Sequence, residues 1–175
     1  MSRKKKHPSD SFVSMTELVL PNDTNTLNNL MGGRLMHWMD IVSAIAGQKH
    51  CNNTVVTASV DNISFRSPIA LGDVVTLNAR ATRAFNSSME IRIDVEAENI
   101  PEGKKVASNT AYFTFVAVDK EGKPVSIPEI EPQTDYEKEL YEGALRRRQL
   151  RLILAGRMKP SEANELRSIF DIKEK

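Results

Sequence analysis

Asp40 lies inside a run, Arg34 to Gln48, in which Leu35, Met36, Trp38, Met39, Ile41, Val42, Ala44, Ile45 and Ala46 leave almost no polar face. A helix apolar nearly all round is one wrapped by other structure. Asp40 comes seven positions after Gly33, too deep in the helix to cap it, and its i−4 and i+4 neighbours are Met36 and Ala44. An ionised carboxylate among such groups is costly unless something offsets its desolvation. In that setting an aspartate can act as a general base, or as a nucleophile towards an acyl carbon. An aspartate paired structurally to Arg34, His37 or a partner subunit would occupy the same position, and residue type alone leaves both readings open.

Gly32-Gly33 belongs to the same argument. First-turn amides have no intrahelical acceptor and can receive a carbonyl oxygen that becomes negative in a transition state. Paired glycines before a helix also serve loops that need positive φ, or tight packing contacts. Just upstream, the polar stretch Asn22 to Asn29 reads as a loop, and Asn25 offers a side-chain amide able to hold a water or a carbonyl. His37 is three residues from Asp40 and reads as a packed or interface histidine. His50-Cys51 lack an orienting third group and are set aside. Arg146-Arg147-Arg148 with Arg151 follow Glu137, Glu139 and Glu142, the pattern of a solvated helix end.

These residues need a frame. Val13 to Leu20 reads as an edge strand ended by Pro21. From Thr54 the period becomes two. Four strands follow: Thr54 to Phe65, Val74 to Ala84, a third carrying Met89, Ile91, Ile93, Val95 and Ala97 on one side, and Val106 to Val118. Glu90, Arg92, Asp94, Glu96 and Glu98 make the other side of the third strand a wet face. Lys123 to Gln133, with three prolines, reads as an extended linker. Tyr136 to Leu154 reads as a helix stopped near Gly156, and Pro160 opens a last short helix to Phe170. The expected class is α+β: an antiparallel sheet wrapped around one long central helix, with a helical C-terminal extension. The division is a flexible basic tail over 1–12, one domain over 13–130 and the extension over 131–175. Exposed sheet edges call for a homo-oligomer, a dimer at minimum.

Composition narrows the classes. A chain of 175 residues, 40% hydrophobic and 27% charged, excludes disorder throughout. A net charge of +1 supplies no overall field towards nucleic acid or membrane, so neither is expected as a partner. The single Cys51 excludes an internal disulfide and a multi-cysteine metal site; no metal is expected. Arg3-Lys4-Lys5-Lys6 is followed by His7-Pro8-Ser9-Asp10 where an export signal would need an apolar stretch, and no apolar run approaches the roughly 18 residues that cross a bilayer. A soluble, cytoplasmic protein is expected.

Four segments together carry a resemblance: Asn22-Asp23-Thr24-Asn25; Gly32 to Asp40, GGRLMHWMD; Val56 to Pro68, VTASVDNISFRSP; and Gly72-Asp73-Val74-Val75. In this order and spacing the chain resembles the hotdog-fold acyl-CoA thioesterases of the acyl-CoA hydrolase family, over roughly Leu18 to Pro128. The resemblance implies hydrolysis of acyl-CoA thioesters to free acid and coenzyme A. It casts Asp40 as general base or nucleophile, Asn25 as the positioning residue contributed by a neighbouring subunit, and Gly33 as the amide that polarises the carbonyl. Coenzyme A enters as part of the substrate, with no separate cofactor, and Arg66, Arg83, Ser87 and Ser88 are the candidates to hold it. The family also implies a trimer of dimers, a hexamer. Many relatives have Gly where this chain has Asn28, and Asn is the residue that best tolerates left-handed angles after Gly. A sensor that binds acyl-CoA without consuming it, its basic C-terminal helix contacting DNA or protein, is the alternative. A dehydratase on the same fold would need a second acid or base near Asp40, for which the sequence has no strong candidate.

Overall fold

Strict alternation in the middle of the chain builds an antiparallel sheet, and the one long apolar run becomes the helix that the sheet holds. The computed structural model describes residues 3–61, 63–65 and 67–169. In chain order these form β1 (Lys5–Lys6), β2 (Val13–Leu18), α1 (Gly32–Cys51), β3 (Thr54–Val60), β4 (Val74–Ala84), β5 (Ser88–Asn99), β6 (Lys104–Val118), β7 (Glu129–Ile130), α2 (Asp135–Leu154) and α3 (Asn164–Arg167). The main sheet has the order β2-β4-β5-β6-β3, antiparallel at every joint. β2 and β3 are therefore its edges. The chain divides into two units, residues 1–131 and 132–175.

In the first unit, Val75, Leu77, Ala79 and Ala81 of β4 are fully buried, as are Met89, Ile91 and Ile93 of β5. They face α1, whose Met39, Val42 and Ala46 are equally buried. Inward residues two apart on the strands meet inward residues three and four apart on the helix, which is the geometry each period dictates. The wet face of β5 holds at Arg92, Asp94 and Glu96, all half-buried, but Glu90 is fully enclosed and accepts a 2.6 Å hydrogen bond from Thr82 Oγ1. The register shifts between Ala81 and Arg83, so Thr82 is a bulge residue whose side chain turns inward.

Three expectations are corrected. The basic tail is not loose from Arg3 onward: Arg3 pairs with Glu129 at 2.9 Å, β1 pairs in parallel with β7, and the hydroxyl of the buried Ser11 accepts from the Ala81 amide at 2.9 Å. Lys6 Nζ donates to the carbonyls of Lys49 and His50 and to Asn52 Oδ1, at 2.9, 2.7 and 2.9 Å. A cation there satisfies the orphan carbonyls at the C-terminus of α1 and meets the negative end of its dipole. The Pro-rich stretch after β6 is likewise no free linker, because Ile127 and Ile130 are buried and Val125 donates to the Ala117 carbonyl. The first meander strand ends at Val60 and not at Phe65.

In the second unit α2 opens with a capping box, Thr134 Oγ1 accepting from the Glu137 amide while Glu137 Oε2 accepts from that of Thr134. Gly156, at φ +66°, follows its end. A 3₁₀ turn over Pro160–Glu162 precedes α3, and Gln149 Oε1 accepts from the Leu166 amide at 2.8 Å. Phe170, the expected end of the last helix, lies outside the described residues. No helix is long and apolar enough to cross a membrane among the described residues.

His50 is fully buried at the end of α1, with Nε2 2.9 Å from the Pro128 carbonyl and Nδ1 without a hydrogen-bond partner among the described residues. Burial pushes its pKa below the usual histidine value of 6.5; the Pro128 carbonyl and Asp10 oppose the shift, and Lys6 adds to it. Below about pH 6.5 the unfolded chain binds a proton that the folded chain refuses, so stability falls with acidity. Denaturant unfolding at pH 7.5 and pH 5 should show this loss, and His50→Gln should show a smaller difference between the two.

Candidate active site

The loop before α1 is built by its own hydrogen bonds. Asp23, almost buried, accepts from the Leu20 amide through Oδ2 at 3.0 Å and pairs through Oδ1 with Arg34 Nε at 2.8 Å, while its carbonyl accepts from Met31. This clamps the start of the loop to the first turn of α1. Thr24 bridges to Leu30, and the Asn25 amide donates to the Asn29 carbonyl at 2.8 Å. Asn25 Oδ1 accepts from the amides of Leu27 and Asn29, at 2.9 and 3.2 Å. Both neighbours are donors, so the oxygen faces the loop, and the Nδ2 group points outward with no acceptor among the described residues. Asn25 is thus a hydrogen-bond donor at an exposed position. Asn28 takes φ +56° at the turn of this loop, the left-handed region that glycine adopts freely and Asn tolerates best of the other residues.

The two glycines divide the roles considered for them. Neither has positive φ. A Cβ on Gly32 would lie 3.2 Å from the Phe65 ring, so Gly32 is a packing glycine. A Cβ on Gly33 would meet nothing within 4 Å. The Arg34 and Leu35 amides both bond to the Met31 carbonyl, leaving the Gly33 amide at the helix start without an acceptor among the described residues. Asn25, Gly32, Leu35, Phe65, Ile69 and Asn109 are among the walls of a cavity of about 360 Å³ beside this helix start.

Asp40 is half-buried, less enclosed than its neighbours in sequence imply. Met36, Ile41 and Ile45 of α1 are 39%, 37% and 42% exposed, and Val56 of the adjoining edge strand β3 is 47% exposed. Helix α1 is therefore wrapped on one flank, and its other flank joins β3 in an apolar face open on the protomer. Neither alternative partner of Asp40 is used within the chain: Arg34 is taken by Asp23, and His37 is exposed. Asp40 Oδ1 accepts a 2.7 Å hydrogen bond from Thr57 Oγ1, and Oδ2 has no partner among the described residues. Thr57 is the site residue that sequence reasoning missed. It precedes a bulge at Ala58, where Thr57 pairs with Phe115 and Ser59 with Thr114, and the alternation of β3 does not reveal that irregularity.

The comparisons with known proteins agree with this geometry. A family model described as the thioesterase superfamily matches residues 27–104. Over 138 residues the chain is 39% identical to the uncharacterized acyl-CoA thioester hydrolase YkhA of Bacillus subtilis, a match that spans 79% of this chain and 80% of that one. The chain belongs to the thioesterase superfamily. Among solved members of similar structure, an apo-hexameric acyl-CoA thioesterase has a TM-score of 0.84 at 38% identity, covering 87% of this chain and 97% of its own. An acyl-CoA hydrolase from Staphylococcus aureus, solved with butyryl coenzyme A, coenzyme A and coenzyme A disulfide, has a TM-score of 0.79 at 36% identity, covering 87% and 94%. That hydrolase has also been solved with one aspartate, one asparagine or one threonine changed to alanine.

One protomer of this superfamily member does not gather all the expected residues. Asn25 and Gly33 stand at the start of α1, and Asp40 with Thr57 lies seven residues on, about 10 Å along the helix axis. Ser87 and Ser88 stand at the turn from β4 to β5, beside Arg83, whose guanidinium lies over the Phe85 ring at 5.6 Å. That turn bonds to the segment that meets the end of α1, through Ile127 to the Asn86 carbonyl, so it sits at the opposite end of the sheet from the cavity. Arg66 lies outside the described residues. Because the loop depends on a left-handed Asn28, Asn28→Val should cost about 1–2 kcal/mol of stability, whereas Asn28→Gly should cost little; thermal unfolding of the two variants checks this.

Proposed function

We propose that this protein hydrolyses acyl-CoA thioesters at a site shared between two protomers, with Asp40 as the reactive carboxylate. The observation that carries the reading is the hydrogen bond from Thr57, which holds one oxygen of Asp40 and leaves the other unpartnered. Spacing supports it. The residues changed in the Staphylococcus aureus variants lie 15 and 17 positions apart, the separations of Asn25, Asp40 and Thr57 here.

The free oxygen of Asp40 takes a proton from water as that water attacks the carbonyl carbon, or attacks the carbon itself to give a mixed anhydride that water cleaves, after the thiolate has left, to the free acid and the restored carboxylate. The C–S bond then breaks, and the coenzyme A thiolate leaves as the thiol after taking up a proton. Negative charge that develops on the carbonyl oxygen meets the Gly33 amide at the positive end of α1, a donor already fixed before the reaction begins. Asn25, restricted by its loop to donating, orients the thioester or the water.

Asn25 and Gly33 of one protomer meet Asp40 of the partner subunit when two copies join along the open face of α1 and the β3 edge, with their helices antiparallel. An exposed apolar face beside an unpaired edge strand is what such a joint covers. The same two-fold brings the far end of the partner's sheet to the cavity end of this one. Arg83, Ser87 and Ser88 then reach the phosphates of coenzyme A bound across the joint. Three such dimers make the hexamer that the solved relative forms.

Release of free thiol from acyl-CoA tests the activity. Asp40→Asn should lower kcat by about 100-fold or more, and Thr57→Val by roughly ten- to a hundredfold through misplacement of the carboxylate. Mixing the chains tests the shared site. Asn25→Ala and Asp40→Asn proteins, unfolded and refolded together, should regain about a quarter of wild-type activity, because half the dimers are mixed and each holds one intact site. No recovery in verified mixed dimers would place the whole site within one protomer.

A further inference from the structure

Asn109 is nearly buried, at 7% exposure, in the middle of a strand. Its neighbour Ser108 is buried as well, although consecutive strand residues should face opposite ways. The cause is a bulge: Val95 pairs with Asn109 and Glu96 with Ala107, leaving Ser108 unpaired. Ser108 Oγ donates to Asn109 Oδ1 at 2.6 Å, which directs the Asn109 amide nitrogen to the Ser64 carbonyl. This hydrogen bond ties Ser64, and with it the segment that follows β3, to β6. The next residue, Phe65, lays its ring against Gly32, close enough that a methyl group there would force it aside.

The cavity at this point has two characters. Asn25 and the helix start offer donors, while Leu30, Leu35, Phe65, Pro68 and Ile69 form a hydrocarbon wall. A thioester carbonyl held at the donors has an acyl chain on one side and pantetheine, rich in amides, on the other. The hydrocarbon wall suits the acyl chain.

We infer that Phe65 limits the length of the acyl chain admitted beside α1, and that Asn109 is the positioning residue that holds Phe65 in place through Ser64. The inference rests on the hydrolase reading above. It also assigns an effect to the bulge in β6: without the extra residue, Asn109 would lose its place opposite Ser64.

The test is kcat and KM of the full chain on saturated acyl-CoAs from acetyl to palmitoyl. Phe65→Ala should move the optimum to longer chains, with kcat/KM gaining about fourfold for each methylene newly covered. Phe65 is 51% exposed, so this variant should fold as the wild type does. Asn109→Asp keeps the shape but cannot donate to Ser64; it should shift the profile in the same direction and add nothing to Phe65→Ala in the double variant. An unchanged length profile, a KM raised by one factor for every chain length, or additive effects in the double variant would overturn the assignment. If the wild type cleaves no acyl-CoA, the hydrolase reading fails instead, and the same series measured as equilibrium binding decides the role of Phe65 separately.

Discussion

A side chain halfway along a helix is aimed only as well as the helix is seated, and α1 is seated at both ends by charge. At its start Asp23 grips Arg34 of the first turn, and through its other oxygen and its carbonyl it also holds the loop that carries Asn25. At its end Lys6 gathers two terminal carbonyls and Asn52, whose left-handed backbone closes the helix. Between these clamps the helix lies on β4 and β5 through fully buried side chains. Close packing of this kind does not deform continuously. The position of Asp40 relative to Thr57 is therefore inherited from contacts at residues far from either.

Much of this frame is legible in the sequence because its causes are local. Val75 to Ala81 and Met89 to Ala97 alternate without a break, and these stretches lie within β4 and β5. The apolar run of α1 is equally plain, and so is the turn chemistry of the Asn25 loop. The docked tail is not legible. Its ordering depends on Glu129 and on carbonyls at the end of α1, and Lys-rich composition looks the same whether the chain is solvated or pinned. The half-buried state of Asp40 is also hidden, because an apolar helix face reads alike whether it meets its own sheet or another copy of the chain.

That ambiguity has a physical origin. A five-stranded sheet curled around one helix can cover only part of the helix circumference, and two of its strands must be edges. Ile41, Ile45 and Val56 are what remains uncovered. The same shortage of coverage separates the functional groups: a donor set at the helix start and a carboxylate two turns later cannot converge on one small carbonyl within a single protomer. An antiparallel copy, as in the proposed dimer, would resolve both at once, since the face that needs covering is the face on which the carboxylate lies.

Thr57 and Asn109 escaped the sequence reading for a related reason. Period-two patterns describe regular strands, and both residues adjoin irregular ones: Ala58 is an extra residue in the ladder of β3 and β6, and Ser108 in that of β5 and β6. A bulge reverses which face the following side chains take, so one inserted residue moves a polar group to a place where alternation would put an apolar one. In β6 Ala107, before the insertion, is exposed, whereas Asn109, after it, is buried against the cavity wall on the face that Ala111, Phe113 and Phe115 fill. Regular stretches of these strands make the interior that seats α1. Their interruptions place polar groups beside the carboxylate and the helix start, and a strand with strict alternation could fill the core but could not supply them.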